Sequence, residues 1–224
     1  MNRVNVSAVH REDSNQCSLC DQWSNHKVPG PFNRTYYRCK NCELIFVDPS
    51  DFISEKEELR RYDLHENNSD DEGYQTFLKK AVEPALLYLN DEMQGLDYGS
   101  GLNKVLSLLL KEQGIKCDNF DYYYHPELED KKYEFIFSTE TFEHFTDPKK
   151  ELEKIDNLLV EGGYLVVMTK TWISEERFEK WHYARDYTHV SFFNVETFHY
   201  IAKKWKYRVL ENIRNTVFIL QKSN

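Results

Sequence analysis

The stretch L-D-Y-G-S-G-L-N-K-V at residues 96–105 decides the fold class, because it has the composition of a glycine-rich loop between a strand and a helix. Glycines at such a turn let a ligand approach the backbone N–H groups, which a Cβ would obstruct. Gly99 and Gly101 supply this turn, whereas Asn103 occupies the third glycine position of the loop. No Gly-Lys-Ser/Thr follows, so an ATP-type P-loop is excluded.

Two acidic residues distinguish this loop from a phosphate-binding loop. Asp97 precedes the glycines in the pattern D-x-G-x-G, where its charge would repel a pyrophosphate and suits a cationic ligand instead. Asp121 follows Gly99 by 22 residues and ends the next predicted strand, the place where an acid takes the ribose hydroxyls of a nucleotide. A nicotinamide-dependent dehydrogenase is disfavoured, because position 104 is Lys and the Asp97 charge is misplaced.

Strand and helix signals alternate from residue 95 onwards, which predicts an α/β fold with a mostly parallel sheet. Asp147 and Asn194 are predicted N-caps, Gly114 a C-terminal cap, and Gly162 with Gly163 a turn between a helix and a strand. The last two strands are predicted to form an antiparallel hairpin. The predicted strands are 95–99, 116–121, 134–141, 164–170, 207–214 and 216–222, and the predicted helices are 74–90, 103–113, 147–160 and one beginning at Asn194.

The spacing between the second and third predicted strands is unusually short. Only 12 residues, 122–133, separate them. A crossover that contains both a helix and a further strand needs about 10–12 residues before that strand is counted. We therefore expect one edge of the sheet to be shortened.

Together these features resemble class I S-adenosylmethionine-dependent methyltransferases. The segment F-I-F-S-T-E-T-F-E-H-F at 135–145 is similar to the family's fourth strand and the stretch that passes under the cofactor, and L-L-V-E-G-G-Y-L-V-V-M-T at 158–169 is similar to its approach to the fifth strand. The resemblance implies a Rossmann-like sheet with an antiparallel C-terminal strand. It also implies that the loop contacts the amino-acid end of S-adenosylmethionine and that Asp121 holds its ribose. The expected cofactor-binding residues are Asp97, Gly99, Ser100, Gly101, Asp121, Tyr122, Thr139 and Glu140.

Four of the five cysteines form two C-x-x-C pairs, Cys17/Cys20 and Cys39/Cys42. The 18 residues between the pairs fall within the range of structural zinc sites, where two tight turns complete a tetrahedral shell of four thiolates. Iron of the rubredoxin type uses the same ligands and remains an alternative. Four protein ligands leave no open position, so the predicted role of the metal is structural. Cys117 is predicted to be a small core residue.

The N-terminal third resembles that of a bacterial subgroup of methyltransferases with a zinc-binding head, which includes sugar C-methyltransferases. The cysteine pairs, the motif Y-x-x-H-E-N at 62–67 and the tail segment W-H-Y-A-R-D-Y-T-H-V-S-F-F at 181–193 carry this resemblance. The implied organisation is a four-cysteine, zinc-ribbon-like module at 1–50, a helical leader or lid at 51–94 with a loop at 67–71, and the methyltransferase domain at 95–224.

Methyl transfer from a sulfonium is an in-line displacement that requires alignment and, where the acceptor must lose a proton, a base. His144 and His189 are the base candidates, because imidazole titrates near neutrality. Each could instead only hydrogen-bond to the backbone. Glu143 is expected to orient the acceptor or the amine of the cofactor; the alternative is an exposed acid at the start of a helix. The predicted catalytic set is His144, His189, Glu143 and Tyr183.

Composition limits the class of partner. A net charge of −9 without a long basic run disfavours a nucleic-acid partner. No run of about 20 apolar residues is present, and the N-terminus has no apolar signal region, so we expect a cytoplasmic protein. The expected partner is a small-molecule methyl acceptor, such as a sugar or another metabolite. The alternative is an inactive module of the same fold that docks a protein through its zinc head.

Overall fold

The computed structural model describes residues 15–64 and 71–224. A six-stranded sheet forms its centre, and its strands are β4 (Gln94–Tyr98), β5 (Lys116–Phe120), β6 (Tyr133–Thr139), β7 (Leu159–Met168), β9 (Tyr207–Ile213) and β10 (Val217–Lys222). The strand order is β5-β4-β6-β7-β10-β9. β5, β4, β6 and β7 are mutually parallel, and β10 runs antiparallel to both β7 and β9.

The sheet confirms the predicted α/β class, the antiparallel C-terminal strand and the shortened edge. β5 is the edge strand, and residues 121–132 between β5 and β6 contain neither a helix nor a further strand of this sheet. The chain therefore passes from β5 to β6 across β4 through a connection too short to add a strand at that edge.

Helices cover both faces of the sheet. On one face, α2 (Glu72–Ala85) and α3 (Val105–Glu112) pack their apolar side chains against the sheet. On the other face, α4 (Pro148–Leu158) and α6 (Val195–Lys204) do the same. Two shorter helices are α1 (Glu55–Tyr62) and α5 (Glu175–Phe178).

The predicted helix caps are confirmed. The Asp147 side chain accepts a hydrogen bond from the Lys150 N–H at the start of α4, where Pro148 occupies the first position. Asn194 accepts from the Glu196 N–H at the start of α6. Gly114 follows α3 with φ of 76°, the left-handed conformation that a glycine adopts without strain.

Three predicted boundaries were wrong. α3 begins at Val105 and not at Asn103, because Lys104 takes a left-handed φ of 54° that interrupts the helix. Gly162 and Gly163 lie within β7, where an irregular register accommodates them, and not in a turn before it. α2 ends at Ala85 and not at residue 90: the Leu86 N–H makes the last helical hydrogen bond, to the Val82 carbonyl oxygen, and the Tyr88 N–H then turns back to the Ala85 carbonyl oxygen.

A second sheet contains four short strands, β1 (Lys27–Val28), β2 (Tyr36–Arg38), β3 (Ile45–Val47) and β8 (Ser191–Phe192). They pair in the order β1-β2-β3-β8, and all pairs are antiparallel. The first three strands flank the cysteine pairs, whereas the fourth comes from the segment between β7 and α6. The second cysteine pair, Cys39/Cys42, lies in the turn between β2 and β3.

Two predictions fall outside the described residues. His65 to Asn67 of the motif at 62–67 lie in 65–70, as does most of the loop predicted at 67–71. The charged leader before them forms α1, whose capping box joins Ser54 and Glu57. Within 15–64 and 71–224, no helix has the length and apolar character that a membrane span requires.

Candidate active site

The glycine loop is fixed to the end of β5 by backbone hydrogen bonds. The N–H groups of Gly99 and Ser100 both donate to the Phe120 carbonyl oxygen, at 2.8 and 3.0 Å. The Gly101 N–H donates to Oδ2 of Asp121 at 3.0 Å. The loop therefore lies at the carboxyl edge of the parallel strands, where ligands of open α/β sheets bind.

Two features explain why residue 99 is glycine. Its φ is 94°, in the region that side chains disfavour. A Cβ at this position would lie 2.2 Å from Oγ1 of Thr141 and 2.5 Å from Cγ2 of the same residue. At Gly101, in contrast, φ is 62° and no atom of the described residues would lie within 4 Å of an added Cβ. The loop thus packs tightly at Gly99 and is open at Gly101.

Asp97 is a buried carboxyl group beside this loop. Its side chain is 1% exposed, and its Oδ1 has no hydrogen-bond partner among the described residues. Burial, followed by the charge of Asp121, raises the pKa of Asp97 to about 8. A buried carboxyl group without a partner is costly, and an ammonium or other cationic ligand would relieve that cost.

Asp121 organises the turn after β5. In addition to the Gly101 N–H, it accepts hydrogen bonds at Oδ1 from the N–H groups of Tyr123 and Tyr124, at 2.9 and 3.1 Å. Each carboxylate oxygen has two lone pairs, so Oδ2 retains acceptor capacity for a ligand hydroxyl. Tyr122 points towards α4, where its hydroxyl group contacts Glu151. Tyr122 is 42% exposed.

Thr139 and Glu140 lie at the end of β6. Thr139 is the last residue of the strand and is 9% exposed. Glu140 has a left-handed φ of 50°, and its N–H donates to the Met168 carbonyl oxygen at 2.7 Å. The buried Oε1 of Glu140 has no hydrogen-bond partner in the described part of the chain. Burial raises the pKa of Glu140 to about 7, and the positive charge of Lys170 opposes this increase.

Glu143 is held from two sides. It is 1% exposed, and it follows β6 in a short 3-10 turn. Oε2 accepts a hydrogen bond from Oγ1 of Thr169 at 2.9 Å, and Oε1 accepts one from the hydroxyl group of Tyr183. These two hydrogen bonds fix the orientation of the carboxyl group. Burial and then the charge of Glu140 raise the pKa of Glu143 to about 8.

His144 and His189 lie against each other, with ring centroids 4.7 Å apart and the planes at 77°. Nδ1 of His144 is 3.2 Å from the Thr188 carbonyl oxygen, and Nδ1 of His189 is 2.7 Å from the Tyr183 carbonyl oxygen. A carbonyl oxygen only accepts, so in both rings Nδ1 carries the hydrogen. In a neutral ring, Nε2 then carries the lone pair.

The four predicted catalytic residues thus form one cluster. Tyr183 joins it to Glu140, because its hydroxyl group also lies 3.4 Å from Oε2 of that residue. The cluster joins groups from two distant segments, the end of β6 and the stretch between α5 and β8.

The helix α1 lies over this edge of the sheet. Tyr62 packs its ring edge-on against His144, with centroids 5.2 Å apart. Glu58 accepts hydrogen bonds from the hydroxyl groups of Tyr62 and Tyr123, at 2.8 and 2.7 Å. Two further contacts, Tyr124 with Asp63 and Arg61 with Asp186, hold the same helix.

The four cysteines of the two pairs converge. All four are buried, none of them forms a disulfide bond, and their sulfur atoms lie within 4.8 Å of one another. Sγ of Cys17 is 3.5 Å from Sγ of Cys42, and Sγ of Cys20 is 3.4 Å from Sγ of Cys39. Tetrahedral zinc with Zn–S bonds of about 2.3 Å requires sulfur separations of roughly 3.8 Å. The geometry is therefore compatible with a zinc-binding head.

The cysteine module is connected to the catalytic cluster by backbone hydrogen bonds. The Val47 N–H of β3 donates to the Val190 carbonyl oxygen, and the Val190 N–H donates to the Glu143 carbonyl oxygen, at 2.9 and 2.8 Å. β8 begins at the next residue and pairs with β3. His189 thus lies one residue from the backbone contact between the small sheet and the turn that follows β6.

Three residues near the site were assigned no role from the sequence. Tyr74 at the start of α2 is close to both acids, since burial and then the charges of Asp97 and Glu140 raise its pKa. Thr141 contacts Gly99, and Thr169 binds Glu143. These contacts depend on the packing of distant elements. Thr141 and Thr169 lie within the segments 135–145 and 158–169, but those segments do not show what the two side chains contact.

The comparisons with known proteins agree with this geometry. A family model described as a methyltransferase domain matches residues 71–212, more than half of the chain. No curated protein matches the chain with significant similarity.

Two solved structures illustrate the shared fold. One is the 1,6-didemethyltoxoflavin-N1-methyltransferase of Burkholderia thailandensis with bound 1,6-didemethyltoxoflavin and S-adenosylhomocysteine, at 12% identity and a TM-score of 0.51, covering 89% of this chain and 100% of that one. The other is the magnesium protoporphyrin IX methyltransferase of Synechocystis PCC 6803 with bound S-adenosylhomocysteine, at 12% identity and a TM-score of 0.52, covering 67% of this chain and 84% of that one. The chain therefore belongs to the methyltransferase-domain family and has the fold of S-adenosylmethionine-dependent methyltransferases.

Proposed function

We propose that this methyltransferase moves a methyl group from S-adenosylmethionine to a small-molecule acceptor bound at the cluster of Glu143, His144, Tyr183 and His189. The observation that carries the proposal is Asp97, a buried carboxyl group with an unpartnered oxygen, among the described residues, beside the glycine loop. Its chemistry fits a cationic ligand, and the open backbone at Gly101 leaves room for one.

The cofactor would be held by its charged and polar ends. Asp97 and Glu140, each with an unpartnered buried oxygen among the described residues, would bind the ammonium group of the amino-acid end. Asp121 would accept hydrogen bonds from the ribose hydroxyls, and Gly99 and Ser100 would form the floor of the loop. The exposed ring of Tyr122 would pack against the adenine, and Thr139 would line the middle of the cofactor-binding site.

When bound, S-adenosylmethionine supplies an electrophilic methyl group, whose carbon is attacked in line by the acceptor while the sulfur leaves as the neutral thioether of S-adenosylhomocysteine. The protein would align the acceptor with the methyl group and take up the proton that the acceptor loses. Tyr183 and Glu143, which bond to each other, would orient the acceptor, and Nε2 of His144 or His189 would take its proton. Tyr62 and the rest of α1 would exclude water from above.

We propose that the chain has three parts: a cysteine module at 1–50, a leader at 51–94 and a transferase domain at 95–224. The first two would support the chemistry of the third. Zinc bound by Cys17, Cys20, Cys39 and Cys42 would be structural, since four thiolates leave no open position. Metal analysis of the native protein should find about one zinc per chain at this site, and iron in its place would correct the assignment.

The test is the fate of a labelled methyl group. The protein is incubated with S-adenosylmethionine carrying a labelled methyl and with a cell extract separated into small molecules and macromolecules. We expect label in the small-molecule fraction, together with S-adenosylhomocysteine, and an Asp97→Asn control with strongly reduced transfer. Label confined to protein or nucleic acid would contradict the proposed acceptor class. Absence of transfer to any fraction would favour an inactive binding module.

A further inference from the structure

The cluster of Glu143, His144 and His189 has the composition of a metal site as well as of a catalytic base. Each residue offers one ligand atom, and the three atoms lie within 4.8 Å of one another. Two imidazoles and one carboxylate are a ligand set found in catalytic zinc sites and in non-haem iron sites. The cluster is separate from the four cysteines and uses no thiolate.

The hydrogen bonds around the cluster orient these ligand atoms. Metal-binding histidines almost always donate their other ring N–H to a carbonyl or carboxylate group, which fixes the tautomer and the ring plane. Both histidines here direct Nδ1 at a backbone carbonyl oxygen, of Thr188 and Tyr183 respectively. Nε2 is then the ligand atom in each ring.

Glu143 is supported in the same way. Thr169 and Tyr183 each donate to a different oxygen of its carboxyl group, so both donors favour the ionised form that a cation requires. A carboxylate oxygen that accepts one hydrogen bond still has a lone pair for a metal ion. The three ligands are therefore placed by four supporting groups: the carbonyl of Thr188, the carbonyl and the hydroxyl of Tyr183, and the hydroxyl of Thr169.

We propose that Glu143, His144 and His189 bind a divalent transition-metal ion, such as Mn²⁺, Fe²⁺, Co²⁺ or Zn²⁺. Bonds of about 2.0–2.2 Å to nitrogen and oxygen place ligand atoms roughly 2.8–3.6 Å apart, so the three atoms, which lie within 4.8 Å of one another, would close around the ion. Imidazole nitrogens select against Mg²⁺ and Ca²⁺, which prefer oxygen ligands. Three protein ligands leave open positions, and these would take oxygen atoms of the methyl acceptor.

The metal site gives the two histidines a different role from that of a base. Their Nε2 atoms would bind the ion, and the ion would stabilise the oxygen of the acceptor after its proton has passed to solvent water. An acceptor with two neighbouring oxygen atoms, such as a vicinal diol or a hydroxy acid, would chelate it. This acceptor class rests on the proposed function, whereas the binding of the ion rests only on the cluster.

The experiment is a titration with Mn²⁺ of the full chain carrying one equivalent of zinc, without S-adenosylmethionine. Thiolates select zinc over Mn²⁺, so the cysteine site does not take up the probe. Electron paramagnetic resonance measures the Mn²⁺ left free in solution. We expect one bound Mn²⁺ per chain and at least roughly tenfold weaker binding in His144→Ala and Glu143→Gln, because each loses a ligand. His182→Ala, an exposed histidine seven residues from His189, is the matched control and should bind as the native protein does.

Two results would overturn the metal site. One is native protein that binds no Mn²⁺, and the other is His144→Ala protein that binds Mn²⁺ as tightly as the His182→Ala control. A thermal melt of each variant shows that it is folded, and His144 is the ligand chosen first because it is only partly buried. A separate titration of S-adenosylmethionine tests the proposed function, so failure of one does not imply failure of the other. Loss of the metal site would return the histidines to the role of base.

Discussion

At the scale of single residues, the chemistry depends on acids that the fold keeps out of water. Asp97 is buried with an oxygen that has no partner in the described part of the chain, and its pKa is raised to about 8. Asp121, which is tied to the same loop through the Gly101 N–H, is satisfied by three backbone groups. The carboxyl group of Asp97 is thus suited to bind a cation, whereas that of Asp121 fixes the conformation of the glycine loop.

The raised pKa of Asp97 predicts proton release when the cofactor binds. At pH 6.5 the free protein holds this carboxyl group mostly protonated, and an adjacent ammonium group favours its ionised form. We expect release of up to about one proton per S-adenosylmethionine at about pH 6.5, falling towards zero above about pH 9. Calorimetry in two buffers of different ionisation enthalpy measures it. Asp97→Asn should release no proton from this group, and equal release from both proteins would contradict the assignment.

The same shift sets the sign of a stability effect in the free protein. The fold favours the neutral carboxyl group of Asp97, so its contribution is complete below about pH 4 and is lost as the pH rises through about 8. Asp97→Asn stays neutral throughout. The substituted protein should therefore gain stability relative to the native one between about pH 5 and 9, measured by urea unfolding. A constant difference across this range would contradict the burial of a titrating group.

At the scale of elements, the site is made where strand ends, the glycine loop and α1 meet. Gly99 contacts Thr141 after β6, and Glu58 of α1 accepts from Tyr123 after β5. These contacts join segments that no short motif connects. Changes at the contacts should alter the site without altering the central sheet.

The close approach at Gly99 predicts a position-specific cost. Gly99→Ala places a Cβ 2.2 Å from Thr141 and forces alanine into φ of 94°, so we expect a loss of roughly 2–4 kcal/mol in unfolding free energy. Gly101→Ala meets no described atom within 4 Å and should lose only about 1 kcal/mol from its φ of 62°. Urea unfolding compares the two, and equal losses would refute the tight packing at Gly99.

The carboxylate of Glu58 predicts how firmly α1 is held. Glu58→Gln replaces an acceptor of two tyrosine hydroxyl groups by a weaker one, which should cost about 1–2 kcal/mol of local stability. Amide hydrogen exchange of residues 55–62 should then become roughly tenfold faster. Glu55→Gln makes the same charge change on an exposed part of the helix and serves as the control. Unchanged exchange in Glu58→Gln would show that these bonds do not hold α1.

At the scale of the whole molecule, the cysteine module packs directly against the transferase part of the chain. β8 completes the small sheet by pairing with β3, and Val190 links it to Glu143. The four cysteines also belong to the same apolar cluster as α4 and α6. A metal at the cysteines would therefore support the position of His189 from a distance.

This connection predicts that loss of the cysteine metal impairs the active site. Cys20→Ser should remove the zinc and lower the unfolding free energy by at least about 3 kcal/mol, since structural zinc contributes roughly 10–16 kcal/mol to folding in small domains. Proteolysis around residues 186–194 and loss of methyl transfer should accompany it. Cys117→Ser changes a cysteine outside the cluster and should retain zinc and activity. Full activity in metal-free Cys20→Ser would separate the two parts.

Much of this organisation is readable from local sequence. Short spacings predicted the glycine loop, the two cysteine pairs, the caps at Asp147 and Asn194, and the shortened edge, because each depends on neighbouring residues. β8 could not be predicted, since two residues pair with β3 only after the whole chain has folded. The turn predicted at Gly162 and Gly163 was wrong for a related reason, because a turn and a bulged strand have the same composition. Tyr74 and Thr169 reach the site through packing alone.

The central claim is that Asp97 and the glycine loop bind the cationic methyl donor. Calorimetric titration of the full chain with S-adenosylmethionine, and then with S-adenosylhomocysteine, tests it most directly. Both carry the ammonium group, so we expect one of each to bind per chain, with affinity reduced roughly 10- to 100-fold in Asp97→Asn by loss of one charge-assisted hydrogen bond. Native protein that binds neither molecule, or Asp97→Asn protein that binds both unchanged, would contradict the account.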